Sequence, residues 1–184
     1  MKLLGKLLLL VSVPLIAACS GGQEQCRTRS EAPDWQTVLA EQMPLLGHRN
    51  WIVVTDMAYP LQTNPGITTL FADAPYADVI RKVSSLINDA PHVFAHIYQD
   101  SEQQKLSEEL VPGWDAYKAS VAEVLKAEDV EYVPHEELIR RLDEVSSLCR
   151  VVIIKTPLTL PYTSTFFNLD CGYWDADREA KIRQ

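Results

Sequence analysis

The 184-residue chain is poor in several things, and each scarcity excludes something. Seven Gly and eleven Pro are too few for a collagen-like or low-complexity chain. Neither GxGxxG nor GxxxxGK occurs, so the glycine cradles that hold nucleotide phosphates are missing. Four Cys with no CxxC pair exclude a disulfide-dense miniprotein. Basic residues are outnumbered, 17 Lys and Arg against 25 Asp and Glu, for a net charge of −8. That excludes the basic face through which a protein displaces counterions from nucleic acid. What remains is an ordinary globular balance of 47% hydrophobic and 23% charged residues, which at this length suggests one domain.

The first residues read as an address. Lys2 and Lys6 precede an apolar run from Leu7 to Ala18, too short to span a bilayer but right for the core of a secretory signal. The run ends Ile16-Ala17-Ala18-Cys19, which resembles the lipobox of bacterial lipoproteins. That resemblance implies diacylation of the Cys19 sulfur, loss of residues 1–18 and acylation of the new amine. Ser20 in the next position implies sorting to the outer membrane, facing the periplasm. Without Lys2 and Lys6, 15 basic residues face 25 acidic ones, a net charge of −10. Anionic lipid repels such a body, so the acyl chains must hold it at the membrane. Cys26, Cys149 and Cys171 remain, and three thiols leave at least one unpaired. Residues 19–33 read as the lipidated Cys and a polar tether, 34–174 as the folded domain, and 175–184 as a charged tail.

Within the domain, apolar β-branched runs alternate with amphipathic segments. Trp51–Thr55, His92–Tyr98, Val130–Val133, Arg150–Lys155 and Thr165–Leu169 read as strands, with a further short one at Ile67–Phe71. Val79, Ile80, Val83, Leu86 and Ile87 form the stripe of a helix over Tyr76–Asn88. Helices are also expected over Trp35–Leu46, after a Ser101/Gln104 capping box, through Tyr117 to Leu125, and from Pro134 through Val145. The alternation predicts an α/β layered domain with a mainly parallel sheet. In such a sheet ligands collect at the carboxyl ends of the strands. Asp56 follows one strand, His135 another, and Tyr162, Thr163 and Ser164 a third, so all should meet on that edge. His92 and His96, four apart on a strand, are too widely spaced for one metal ion and read as ordinary polar residues.

The stretch Gly47-His48-Arg49-Asn50-Trp51-Ile52-Val53-Val54-Thr55-Asp56-Met57-Ala58-Tyr59-Pro60 resembles the opening motif of the D-ribose pyranase and L-fucose mutarotase family. Val133-Pro134-His135-Glu136-Glu137-Leu138 and Pro161-Tyr162-Thr163-Ser164 resemble two later segments, so the likeness spans roughly residues 35–170, and His135 favours the pyranase branch. The resemblance implies a three-layer α/β/α fold and a sugar ring isomerase with no cofactor or metal. It implies His48 as general acid, Asp56, His135, Tyr162, Thr163 and Ser164 as sugar-contacting groups, and a homo-oligomer with sites between subunits. Ser164 departs from the family's Asn, and the usual Gly-Val ending is replaced by Asp170-Cys171-Gly172-Tyr173-Trp174. Two other readings stay open: a lipoprotein that binds a monosaccharide without catalysis, and a structural lipoprotein using the fold as a platform. His48 and Asp56 flank one strand, so an extended strand separates them by up to roughly 26 Å, too far to grip one sugar ring.

Overall fold

Two strands carry the centre of the molecule. In the computed structural model, which describes residues 34–183, strand β1 (Trp51–Thr55) is buried throughout, and β5 (Val151–Lys155) is buried up to its last residue. Strands covered on both faces read as continuous apolar runs, which is why WIVVT and VVIIK show no alternation. Around them lie β2 (Ile67–Phe71), β3 (Val93–Asp100), β4 (Val130–Val133) and β6 (Thr165–Cys171). The sheet has six strands in the order β2-β5-β1-β6-β3-β4. β1 and β2 run parallel to β5, and β4 parallel to β3, while β6 is antiparallel to both β1 and β3. The mainly parallel sheet expected from the sequence is therefore present, with one reversed strand inside it.

That reversal has a local cause. Only residues 156–164 separate β5 from β6. A parallel return needs a crossover of about a dozen residues or more, so this short connection re-enters the sheet from the edge it left. The consequence is that the amino end of β6 joins the carboxyl ends of the other five strands.

Alternation along the strands divides the core in two. Ile52, Val54, Val152, Ile154, Phe167 and Leu169 face α1 (Trp35–Gln42), α2 (Tyr76–Asn88) and α3 (Trp114–Ala122). Trp51, Val53, Val151, Ile153 and Phe166 face α4 (His135–Ser146), whose Leu138 and Leu142 are fully buried. Helix α2 buries Val79, Ile80, Val83 and Ile87, the stripe its sequence predicts. The result is a three-layer α/β/α arrangement.

Several boundaries differ from the sequence reading. β3 runs on to Asp100, and the Ser101/Gln104 capping box does not form; a 3-10 turn occupies Ser101–Lys105 instead. α3 stops at Ala122, so Val124 and Leu125 pack from the turn that follows. Pro134 is the cap of α4 and His135 its first helical residue, one position later than expected. The charged tail contains a helix, α5 (Ala176–Ile182), whose first turn Asp175 caps through the Arg178 N–H at 2.8 Å. Among the described residues, no helix is long and apolar enough to cross a membrane. Cys149 and Cys171 are not joined to each other. The signal, the lipobox with Cys19, and Cys26 lie outside the described residues.

Candidate functional site at the carboxyl edge of the sheet

Asp56, His135 and the Tyr162–Ser164 loop all sit at the carboxyl edge, as their positions after β1, β4 and β5 require. Asp56 shapes the turn leaving β1, its Oδ1 accepting the N–H groups of Ala58 at 2.7 Å and Tyr59 at 3.2 Å. Tyr162 is 41% exposed, with φ of 55°, in the left-handed region that side-chain-bearing residues rarely adopt. Its ring meets that of His135 edge-on, centroids 5.6 Å apart.

Thr163 and Ser164 are buried behind Tyr162. The Thr163 hydroxyl donates to the Leu160 carbonyl at 3.1 Å, which gives it a role in holding the loop. The Thr163 carbonyl accepts from the hydroxyls of two buried tyrosines, Tyr76 and Tyr117. Burial pushes both phenols well above their ordinary range, so they remain donors. A chain of side-chain bonds links this loop to the end of β3. Gln103 Nε2 donates to Gln99 Oε1 at 3.2 Å, Gln99 Nε2 to Thr165 Oγ1 at 2.9 Å, and Thr165 Oγ1 lies 3.1 Å from the Tyr76 hydroxyl. Buried polar groups joined in this way fix the loop relative to β3.

The residue missed by the sequence reading is Asp100. It has no solvent exposure and lies at the carboxyl end of β3, with Oδ1 3.1 Å from His135 Nδ1. Its Oδ2 has no hydrogen-bond partner. Burial raises the pKa of Asp100 against the opposing pull of His135. The hydrogen bond to Asp100 raises that of His135, against desolvation. Both shifts point the same way: the pair holds one proton more readily than either group would alone. A helix N-terminus by itself would bias His135 toward neutral, the effect expected from its position in the sequence. The carboxylates of Asp100, Glu136 and Glu102 reverse that bias. Glu102 also accepts the His135 backbone N–H, at 3.1 and 3.2 Å, and so supplies from the neighbouring turn the cap that Pro134 cannot. With Nδ1 turned to Asp100, His135 offers Nε2 to its surroundings. The sequence carries the same signal for Asp100 as for Asp56, an acid at a strand's carboxyl end, but the apolar run stops at Tyr98 and the strand continues two polar residues further, to Asp100.

His48 stands apart. It precedes β1, at the amino edge, where its Nδ1 lies 2.6 Å from Asp170 Oδ1. Within one chain the structure thus gathers Asp56, His135 and Tyr162 with Thr163 and Ser164 behind, and leaves His48 at the opposite end of the sheet. His92 ties its Nε2 to the carbonyls of Met43 and Leu46, at 3.2 and 2.9 Å, a structural role. Among the described residues, no three His, Cys, Asp or Glu side chains converge as metal ligands.

The model of the RbsD / FucU transport protein family matches residues 35–168, from the start of α1 into β6. The chain belongs to this family. Solved relatives include Bacillus subtilis RbsD in complex with D-ribose, 17% identical, covering 73% of this chain and 92% of its own, with a TM-score of 0.48. Another is the Streptococcus pneumoniae fucose mutarotase in complex with L-fucose, 16% identical over 72% of this chain and 91% of its own, TM-score 0.48. A third is FucU from Bifidobacterium longum, 11% identical over 72% and 92%, TM-score 0.49. No curated protein matches the chain. The matched residues take in β1 to β5 and the whole carboxyl edge, and stop within β6, short of Asp170 and the tail.

Proposed function

We propose that this RbsD/FucU-family chain is a membrane-tethered sugar ring isomerase, a pyranase or mutarotase that interconverts the cyclic forms of a monosaccharide. The observation that carries this reading is the Asp100–His135 pair beside Tyr162 at the carboxyl edge of a sheet of this family. Opening a cyclic hemiacetal removes the proton of the anomeric hydroxyl and delivers one to the ring oxygen as the C–O bond of the ring breaks. Closing the free aldehyde or ketone reverses both transfers, so electrons and protons balance with no oxidant.

Histidine suits both transfers, because its ordinary pKa lies near working pH. His135 Nε2–H would donate to a sugar oxygen, and Asp100 would keep that proton in place. Asp56 and the Tyr162 hydroxyl would fix the pose. His48 is the general acid by family resemblance. Since it lies at the other edge of its own chain, it would serve the carboxyl edge of an adjacent subunit in a homo-oligomer. Free sugars already open slowly in water, so an acid–base contribution of about 10²–10⁴-fold would be the whole effect.

A second reading is a lipoprotein that binds a monosaccharide without turning it over. It is favoured by Ser164, which replaces the family's Asn and is 2% exposed, so a buried hydroxyl stands where an amide would be. Saturation-transfer NMR of anomeric exchange, with a panel including D-ribose and L-fucose, separates the two. Exchange faster than buffer is expected. Saturable binding without exchange would establish the second reading instead. The tether is part of the proposal: Cys19, lipidated, would hold a body of net charge −10 at the outer membrane, facing the periplasm.

A further inference from the structure

We propose that Asp170 is a positioning residue that locks His48 and His96 into opposite ring tautomers, making His96 a second acid–base group beside His48. The clamp rests on geometry alone; its catalytic use rests on the isomerase reading above. Asp170 Oδ1 lies 2.6 Å from His48 Nδ1, and Oδ2 lies 3.4 Å from His96 Nε2. An ionised carboxylate only accepts hydrogen bonds. The ring nitrogen facing it must therefore carry the hydrogen, which places it on Nδ1 in His48 and on Nε2 in His96. The free lone pairs are then His48 Nε2 and His96 Nδ1.

Three observations show that this is more than a chance surface contact. First, Asp170 is itself held, because the Cys171 N–H donates to Oδ1 at 2.7 Å. That bond and the two imidazoles outweigh burial and keep the carboxyl below its ordinary range, so it is ionised. Second, His48 sits on a strained turn laced to the strand that carries Asp170. Arg49 has φ of 72°, its N–H donates to the Leu169 carbonyl at 2.9 Å, and the Leu169 N–H donates to the Asn50 carbonyl at 2.8 Å. Gly47 N–H closes the turn on Asn50 Oδ1 at 2.7 Å. Third, His96 is placed by the β3–β6 ladder, where Phe94 is opposite Asp170 and His96 opposite Asn168. His96 and Asp170 are thus diagonal neighbours on one face. The Phe94 ring meets His96 edge-on at 5.0 Å. His96 also borders a cavity of about 650 Å³ whose wall comes mostly from α2 and the segment after α3, Ile87, Asn88, Val124 and Leu125 among them, and which neither His48 nor Asp170 lines. Asp170 lies beyond the residues matched by the family, so this arrangement is a feature of the chain's own ending.

The test is two-bond ¹⁵N–¹H correlation NMR on the full chain in detergent, with ring-labelled histidine, at about pH 9, where histidines are neutral. His48→Gln and His96→Gln variants assign the signals. The expected result is Nδ1–H for His48 and Nε2–H for His96, with both patterns averaged in Asp170→Ala. His48 found as Nε2–H, or a pattern unchanged in Asp170→Ala, would overturn the clamp. Asp170→Asn, which preserves volume, provides the kinetic arm. If the wild type exchanges anomers, Asp170→Asn and His96→Gln should each slow exchange about 10- to 100-fold, as loss of an orienting partner does elsewhere, with sugar affinity held within a few-fold. Unchanged exchange in both would overturn the catalytic use. If the wild type does not exchange anomers, the isomerase reading fails, and the tautomer pattern still decides the clamp.

Discussion

At Asp100 a carboxylate without solvent exposure shares a proton with His135, and this pairing makes the strongest residue-scale prediction. The His135 ring should titrate above the ordinary value of about 6.5 by NMR, and its midpoint should fall in Asp100→Asn. A midpoint unmoved by the substitution would show that the bond does not govern the ring. The sign for stability follows from linkage. A histidine whose folded pKa is raised contributes fully below its unfolded value, and loses that contribution as pH rises through the raised value. Denaturation midpoints should therefore decline above about pH 6.5 in the wild type, and less so in Asp100→Asn. The sequence revealed Asp56, His135 and Tyr162 because each directly follows a strand. Asp100 was hidden because the apolar pattern ends β3 at Tyr98, two residues early, whereas the buried Gln99–Thr165–Tyr76 links depend on which strands are neighbours, and strand order is not encoded locally.

Among the elements, the runs WIVVT and VVIIK and the helix Tyr76–Asn88 were legible because burial on two faces and a 3.6-residue stripe are local patterns. The reversal of β6 was not read from composition, although the nine-residue connection before it forces the reversal. The reversed strand carries Asp170 to the amino edge and Tyr162's loop to the carboxyl edge, so it links both groups of candidate residues. Gly66, just before β2, tests how tightly the elements are packed. A Cβ there would lie 1.8 Å from the Ser146 carbonyl oxygen at the end of α4. Gly66→Ala should destabilise the chain by about 1–3 kcal/mol in urea unfolding. Gly47→Ala, which meets nothing within 4 Å, should stay within about 0.5 kcal/mol. Equal effects of the two would contradict the packing described.

On the scale of the whole molecule, two expectations concern what surrounds one chain. Cys19→Ser removes the sulfur that the lipobox reading requires, and should abolish lipid labelling and release the chain from membranes. Unchanged membrane retention would contradict the anchor. The other concerns assembly. The carboxyl edge holds Asp56, Asp100, His135 and Tyr162, while His48 lies with Asp170 at the amino edge, so one chain does not bring all of these to one sugar ring. On the isomerase reading proposed above, His48 and His135 would meet at one sugar only if they come from different subunits. The most direct measurement is complementation: His48→Ala and His135→Ala chains, each deficient in anomeric exchange, are mixed under conditions in which subunits reassort. Recovery of exchange in the mixture, absent from either variant alone, is the predicted result. No recovery despite demonstrated reassortment, or a monomer with full exchange activity, would contradict the shared site.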